Sequence, residues 1–213
     1  MSRHLLIMGA TSGIGQLAME EALARDHKVR AFARSAESLE DRPRLERFAG
    51  DALNASDVGE ALKHVDAVIY ALGIEESLSM LWTPVTLFSA STEILLAQMA
   101  QADMRRLIVV TGFGAGRSVD AMSTIERLGH RAILGRPYED KDRQEKMIAA
   151  SDADWTIVRP VILTKGAKTG TYRILRDPKT WRNGLISRAD VAHYLIDAAE
   201  AGLDSKADVV LAR

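Results

Sequence analysis

His4-Leu5-Leu6-Ile7-Met8-Gly9-Ala10-Thr11-Ser12-Gly13-Ile14-Gly15-Gln16 decides how this chain is read. An apolar run ends in a glycine-rich turn, and an alanine- and leucine-rich helical pattern follows. A strand that turns tightly into a helix leaves the first N–H groups of that helix without intrahelical partners, pointing outward toward a phosphate. The spacing is G-x-x-x-G-x-G, carried by Gly9, Gly13 and Gly15, not the G-x-G-x-x-G of the commonest dinucleotide fingerprint. Gly9 serves the tight turn. A side chain at Gly13 or Gly15 would block a pyrophosphate or the packing of helix on strand. Thr11 and Ser12 can add hydroxyl donors to phosphate oxygens, and with Ile14 they complete the expected cradle.

Outward from this stretch, strand and helix patterns alternate. Strands are expected at Arg3–Met8, Lys28–Ala33, Leu45–Ala49, Ala67–Ala71, Arg106–Thr111, Trp155–Arg159 and Asp208–Leu211. Helices are expected at Ile14–Arg25, briefly after Ser35, and at Ala55–Lys63, Pro84–Ala102, Asp140–Ser151 and Arg188–Ala201. Leu107-Ile108-Val109-Val110 is continuously apolar, as a strand covered on both faces should be. Ser187 with Asp190 three residues on predicts a helix cap. This alternation predicts an α/β fold, a doubly wound parallel sheet in a single domain over 1–213. Two segments interrupt it, Gly112–Pro137, with a helix around Val119–Leu134, and Thr164–Gly184. Both follow strands and therefore leave the sheet at its carboxyl edge, where ligands bind. Their length, beyond that of ordinary connections, suits loops on the substrate side.

Composition narrows the function classes. A chain of 213 residues with 47% hydrophobic content can bury one sizeable core. Lys plus Arg number 28 against 29 Asp plus Glu, which gives no electrostatic case for nucleic acid or an anionic membrane as partner. Cysteine is absent, which removes disulfides, thiolate nucleophiles and thiolate metal sites. The five histidines show no metal spacing. No apolar stretch approaches the roughly 20 residues that span a bilayer. The N-terminus reads as a first strand, not a signal peptide, so a cytoplasmic protein, monomeric or a small homo-oligomer, is expected.

The strand ends carry the remaining signals. The second strand ends Ala33-Arg34-Ser35, where an NAD site usually offers an acid to the ribose 2′-hydroxyl. Arg34 instead matches a 2′-phosphate in shape and charge, so NADP is the expected cofactor. Asp51, after Gly50, can accept from an adenine amino group, with Ala52 beside it. Ala71-Leu72-Gly73 supplies small residues that let the backbone pass close to a ribose.

Gly9–Gly15, Ala33-Arg34, Gly50-Asp51, Tyr70-Ala71-Leu72-Gly73 and Val110-Thr111-Gly112 together resemble the short-chain dehydrogenase/reductase superfamily. Tyr138-Glu139-Asp140-Lys141, Glu145, Ile148, Ser151 and Asp154-Trp155-Thr156-Ile157-Val158-Arg159-Pro160 are similar to its atypical NAD(P)H-binding branch. That branch includes flavin reductase/biliverdin reductase B-like and NmrA-like proteins. The resemblance spans essentially the whole chain. It implies a Rossmann fold, NADPH laid across the strand ends, and a small open substrate site. It also implies that backbone groups near Pro160 meet the nicotinamide carboxamide.

Most reductases of the superfamily use a Tyr-x-x-x-Lys pair, in which the lysine lowers the tyrosine pKa for proton transfer. Here the lysine after Tyr138 falls one residue short, and Tyr138 follows Pro137 at an expected helix entrance. Tyr138 is therefore not assigned as the acid. Lys141, in the first turn of the helix facing the cofactor, is the better catalytic candidate, able to bind the nicotinamide ribose and orient substrate. Thr111, at the end of the fifth strand, stands where the superfamily often carries a hydroxyl near the substrate carbonyl. The expected function is NADPH-dependent hydride transfer to a small acceptor, a flavin, quinone or carbonyl. The alternative is a non-catalytic NADP(H)-binding regulator of the NmrA-like type. A sugar-nucleotide epimerase fits less well, with only 54 residues after Arg159 for a substrate lobe.

Overall fold

The computed structural model describes residues 2–73 and 86–213, with backbone alone at 124–126 and 128–136. Its elements are β1 (His4–Met8), α1 (Gly13–Ala24), β2 (Lys28–Ala33), β3 (Leu45–Ala49), α2 (Ala55–Ala61), β4 (Ala67–Tyr70), α3 (Leu87–Gln101) and β5 (Arg106–Val110). These are followed by α4 (Thr124–Ala150), β6 (Asp154–Pro160), β7 (Ile162–Thr164), β8 (Arg173–Leu175), β9 (Leu185–Ser187), α5 (Arg188–Ala201) and β10 (Ala207–Ala212). The main sheet runs β3-β2-β1-β4-β5-β6-β10-β8. It is parallel from β3 to β10, and β8 closes one edge antiparallel to β10. β7 and β9 form a separate parallel pair.

The apolar run of β1 explains its central place. Leu5 and Ile7 belong to the core shared with α1 and α5, while Leu6 and Met8 belong to the core shared with α2, α3 and α4. All four are fully buried, and each contributes about 1.5–3 kcal/mol relative to exposure. β2 and β3 follow β1 on one side, and β4, β5 and β6 lie on the other. The strand order therefore reverses between β1 and β4, which opens a crevice above their carboxyl ends.

Local rules located most elements within a residue or two, and tertiary packing overrode them at Pro137 and in the segment over 164–184. Pro137 lies inside α4, although the sequence pattern placed a helix entrance there. An interior proline costs about 3 kcal/mol. Pro137 is buried and α4 packs along α3, and that burial offsets the cost. The segment over 112–137, expected as a substrate-side loop with a helix around Val119–Leu134, holds a short 3-10 turn at Gly116–Ala121 and the first half of α4, which runs on through Pro137. The second, over 164–184, contains β8, three residues long and too short to show a period. It is held by its pairing to β10 and by the Trp181 indole N–H, which donates to the Leu175 carbonyl at 2.8 Å. Helix α5 is capped as expected, with the Ser187 hydroxyl accepting from the Asp190 N–H at 2.9 Å. Pro84 and Val85, expected to begin the third long helix, lie outside the described residues.

Candidate functional site

The turn after β1 is built by three glycines with three different constraints. Gly9 has φ +86°, and a Cβ there would sit 2.7 Å from the Ala71 carbonyl oxygen, across the crevice. A Cβ on Gly15 would be driven into the Gly9 carbonyl, 2.8 Å from its carbon. Gly13 has φ +58° but open space around it. Gly9 and Gly15 thus let backbone pack on backbone, whereas Gly13 leaves room for a ligand. Ser12 enters α1 in an extended conformation, its side chain makes no cap hydrogen bond, and the first turn carries no acidic residue. The leading N–H groups of α1 therefore remain available to an anion. The Ser35 hydroxyl bonds to that of Thr11 at 3.2 Å and ties this turn to the end of β2, where Arg34 is exposed. Past β3, Asp51 accepts the Leu53 N–H at 2.9 Å, and its own N–H is taken by Asp57. Ala52 is buried beside them. These features fit a dinucleotide: a cradle beside Gly13, an open helix terminus, and polar side chains along the ends of β2 and β3.

The cradle opens into a cavity of about 630 Å³. Ser12, Gly13, Ile14, Ala71, Leu72, Gly73, Thr111, Lys141 and Pro160, drawn from five separate stretches of sequence, all line it. Gly9, Thr11, Gly15, Arg34, Asp51 and Ala52 do not; they shape the turn or stand at the neighbouring strand ends. The Lys141 ammonium donates to the Thr111 carbonyl at 2.8 Å and lies 5.1 Å from the Phe88 ring centre and 5.2 Å from that of Tyr138. The Thr111 hydroxyl donates to Glu145 at 2.7 Å, so its carbonyl, not its hydroxyl, is what meets Lys141. Because α4 continues through Pro137, Tyr138 and Lys141 share a helix face. The phenol lies against Gly112, where a Cβ would come within 2.6 Å of its oxygen. Tyr138, Phe88, Phe113, Met122, Asn183 and Arg188 also line the cavity, and the sequence pattern singled out none of them as cavity residues.

Two buried polar clusters hold these walls. Asp140 is fully buried and accepts the Phe88 N–H at 2.8 Å, the Ser89 N–H at 3.3 Å and the Ser89 hydroxyl. It thereby caps α3 from a different helix and fixes Phe88 at the cavity. Behind Thr111, Arg159 makes a two-pronged pair with Glu145 at 3.0 and 2.7 Å and reaches Asp208 at 2.5 Å. Arg117 also binds Asp208, and both guanidiniums lie about 5 Å from the Trp181 ring centre. Burial pushes the Asp208 carboxyl up, but Arg117 and Arg159 more than offset this and hold it below the usual carboxylate range. Among the described residues no cluster of His, Cys, Asp and Glu could hold a metal ion, and no helix is long and apolar enough to cross a membrane.

Comparison with known proteins places this architecture. An uncharacterised sugar epimerase of Bacillus subtilis is 28% identical over 209 residues, 95% of this chain and 88% of its own length. Among solved structures, the anaerobilin reductase ChuY of Escherichia coli O157:H7 has a TM-score of 0.81 and 25% identity, over 98% of this chain and 96% of its own. A short-chain dehydrogenase/reductase of Veillonella parvula, solved with NADP, has a TM-score of 0.84 and 16% identity, over 100% of this chain and 95% of its own; it shows the fold alone. The model of the NAD(P)H-binding family matches residues 9–201, and this Rossmann-like α/β chain belongs to that family.

Proposed function

We propose that the protein is an NADPH-dependent reductase that passes hydride to a small acceptor such as a flavin, quinone or carbonyl. One observation carries the reading. The cradle beside Gly13 runs without a break into a cavity whose wall holds Lys141 and Tyr138. Ser12, Gly13 and the leading N–H groups of α1 hold the phosphates, Ala71, Leu72 and Gly73 border the ribose, and Pro160 faces the nicotinamide end. Bound there, NADPH supplies the hydride. Lys141, fixed by the Thr111 carbonyl and two aromatic rings, orients the reacting groups, and most of the rate comes from that positioning. A flavin or quinone takes its proton from solvent and needs no dedicated acid. ChuY, a reductase of similar fold, supports an enzymatic role over a purely regulatory one. The test is NADPH oxidation by the purified protein with a panel of flavins, quinones and aldehydes. Turnover with at least one acceptor is expected, and tight NADPH binding without any turnover would favour the regulator.

Arg34 selects NADP through the 2′-phosphate. Arg34→Ala should weaken NADPH binding by about 2 kcal/mol, roughly 30-fold in Kd, and leave NADH binding nearly unchanged. Titration of both cofactors checks this, and equal losses would remove Arg34 from the phosphate. Lys141→Met keeps an unbranched apolar side chain and removes the ammonium that lies over Phe88. It should lower kcat/KM roughly 10²-fold at little cost in melting temperature. Unchanged turnover would place Lys141 outside the chemistry.

A further inference from the structure

Arg188 is the first residue of α5, follows the β9 residue Ser187, and lines the cavity. It is half-buried, yet among the described residues no hydrogen bond, ion pair or ring contact engages its guanidinium. The contrast within the molecule is sharp. Of the other described arginines that are not exposed, Arg25, Arg30, Arg47, Arg106 and Arg159 are each paired with carboxylates, and Arg3 donates to the Glu200 carbonyl. The nearest acid in sequence, Asp190, does not serve it. That carboxylate is taken by the N–H groups of Thr169 and Gly170 and by the hydroxyls of Thr169 and Ser187. Partly burying a guanidinium without an anion is unfavourable, so a side chain kept in that state marks a place where a ligand brings the anion.

The rest of the cavity agrees. Among its described lining residues there are two cations, Lys141 and Arg188, and no carboxylate. Lys141 already donates to the Thr111 carbonyl. Ile14, Leu72, Phe88, Phe113, Met122 and Leu163 give the wall its apolar area. A neutral acceptor would need no cation there, and a cationic one would be repelled.

Resting on the reductase reading, we propose that Arg188 is a specificity residue that docks a carboxylate or phosphate of the acceptor. The natural acceptor is then an anionic molecule with an apolar body. The pyrophosphate of the cofactor could offer the same anion chemistry. The α1 terminus and Gly13 already provide for it, and the experiment separates the two sources.

Anthraquinone-2-carboxylate and 2-(hydroxymethyl)anthraquinone share one ring system and differ in charge. Each is titrated calorimetrically into NADP⁺-saturated protein, wild type, Arg188→Gln and Arg188→Lys, and NADP⁺ is titrated alone into all three. The wild type should bind the carboxylate roughly tenfold tighter than the alcohol. Arg188→Gln should erase that gap, Arg188→Lys should restore part of it, and NADP⁺ affinity should stay the same in all three. Equal binding of the two probes by the wild type, or binding of neither, overturns the proposal. So does an Arg188→Gln protein that loses NADP⁺ affinity while keeping the gap, since the arginine would then serve the cofactor. Turnover is not read here. A protein that selects the carboxylate but oxidises no NADPH would refute the reductase reading and leave the anion site standing.

Discussion

Gly15→Ala is expected to lose at least about 3 kcal/mol of stability and, with it, cofactor binding. The added methyl meets the Gly9 carbonyl, so the clash is backbone on both sides and no side chain can rotate away. Overpacking in well-filled interiors costs typically 1–3 kcal/mol, and a rigid neighbour puts this substitution at or beyond the top of that range. Against a domain stability of about 5–15 kcal/mol, the loss corresponds to roughly 6–12 °C in Tm for a chain of this size. Gly13→Ala is the control. Its Cβ meets nothing, and only the positive φ is strained, so about 1 kcal/mol is expected. That variant should fold while binding NADPH poorly, because the methyl would occupy the place proposed above for the phosphate. Thermal melting with NADPH titration distinguishes the two effects. A Gly15→Ala protein melting within 2 °C of wild type would show that α1 does not need its close seat on the turn.

Glu145→Ala should be as damaging for a different reason. Arg159, with a side chain 3% exposed, would lose the two hydrogen bonds it donates to Glu145 and keep a buried charge held by Asp208 alone. Removing one member of such a pair costs about 3–5 kcal/mol, while replacing both members with apolar residues of similar volume is often neutral. Urea unfolding should therefore show Glu145→Ala strongly destabilised and the double variant Glu145→Leu/Arg159→Met much less so. If the double variant, in which Arg117 still holds Asp208, is as unstable as the single one, the charge left on Arg159 is not the cause. The acid side of the profile follows from Asp208. Its folded carboxyl lies below the ordinary value of 3.8, so the stability it contributes is fully present above about pH 4 and is lost as pH falls through the lower folded value. Asp208→Asn should flatten that acid limb.

The parts of the fold that were legible are those whose information is local. Leu5 to Met8 must be buried on both faces, and Gly9 and Gly15 must follow directly, whatever the distant chain does. The alternation of strands and helices then leaves little choice of topology. Ser187 was legible as a cap because its partner is three residues away. Arg188, between the two, was not, because its meaning comes from a cavity whose other lining residues, among them Lys141, Pro160 and Leu163, lie far from it in sequence. Tyr138 was misplaced by a sound local rule. Proline does end most helices, and only the burial of Pro137 and the packing of α4 on α3 reverse that here. The cluster of Glu145, Arg159, Asp208 and Arg117 joins four separate segments, and no spacing could have revealed it. Thr111 follows β5 and lines the cavity, but which of its oxygens meets Lys141 is a matter of three-dimensional direction.

The two ends of the main sheet also bear on how this protein behaves in company. A parallel sheet invites extension, since its outermost strand offers unpaired amides to any extended segment that approaches. At one end stands β3, whose Glu46 and Arg47 are engaged by Arg30 and Asp41 and keep that rim charged. At the other, the chain reverses β8 against β10 and spends only three residues on it before Pro178 opens a new turn. A stray strand finds charge at one rim and almost no template at the other. Resistance to edge-to-edge aggregation is thus written into the outermost strands, far from the cavity.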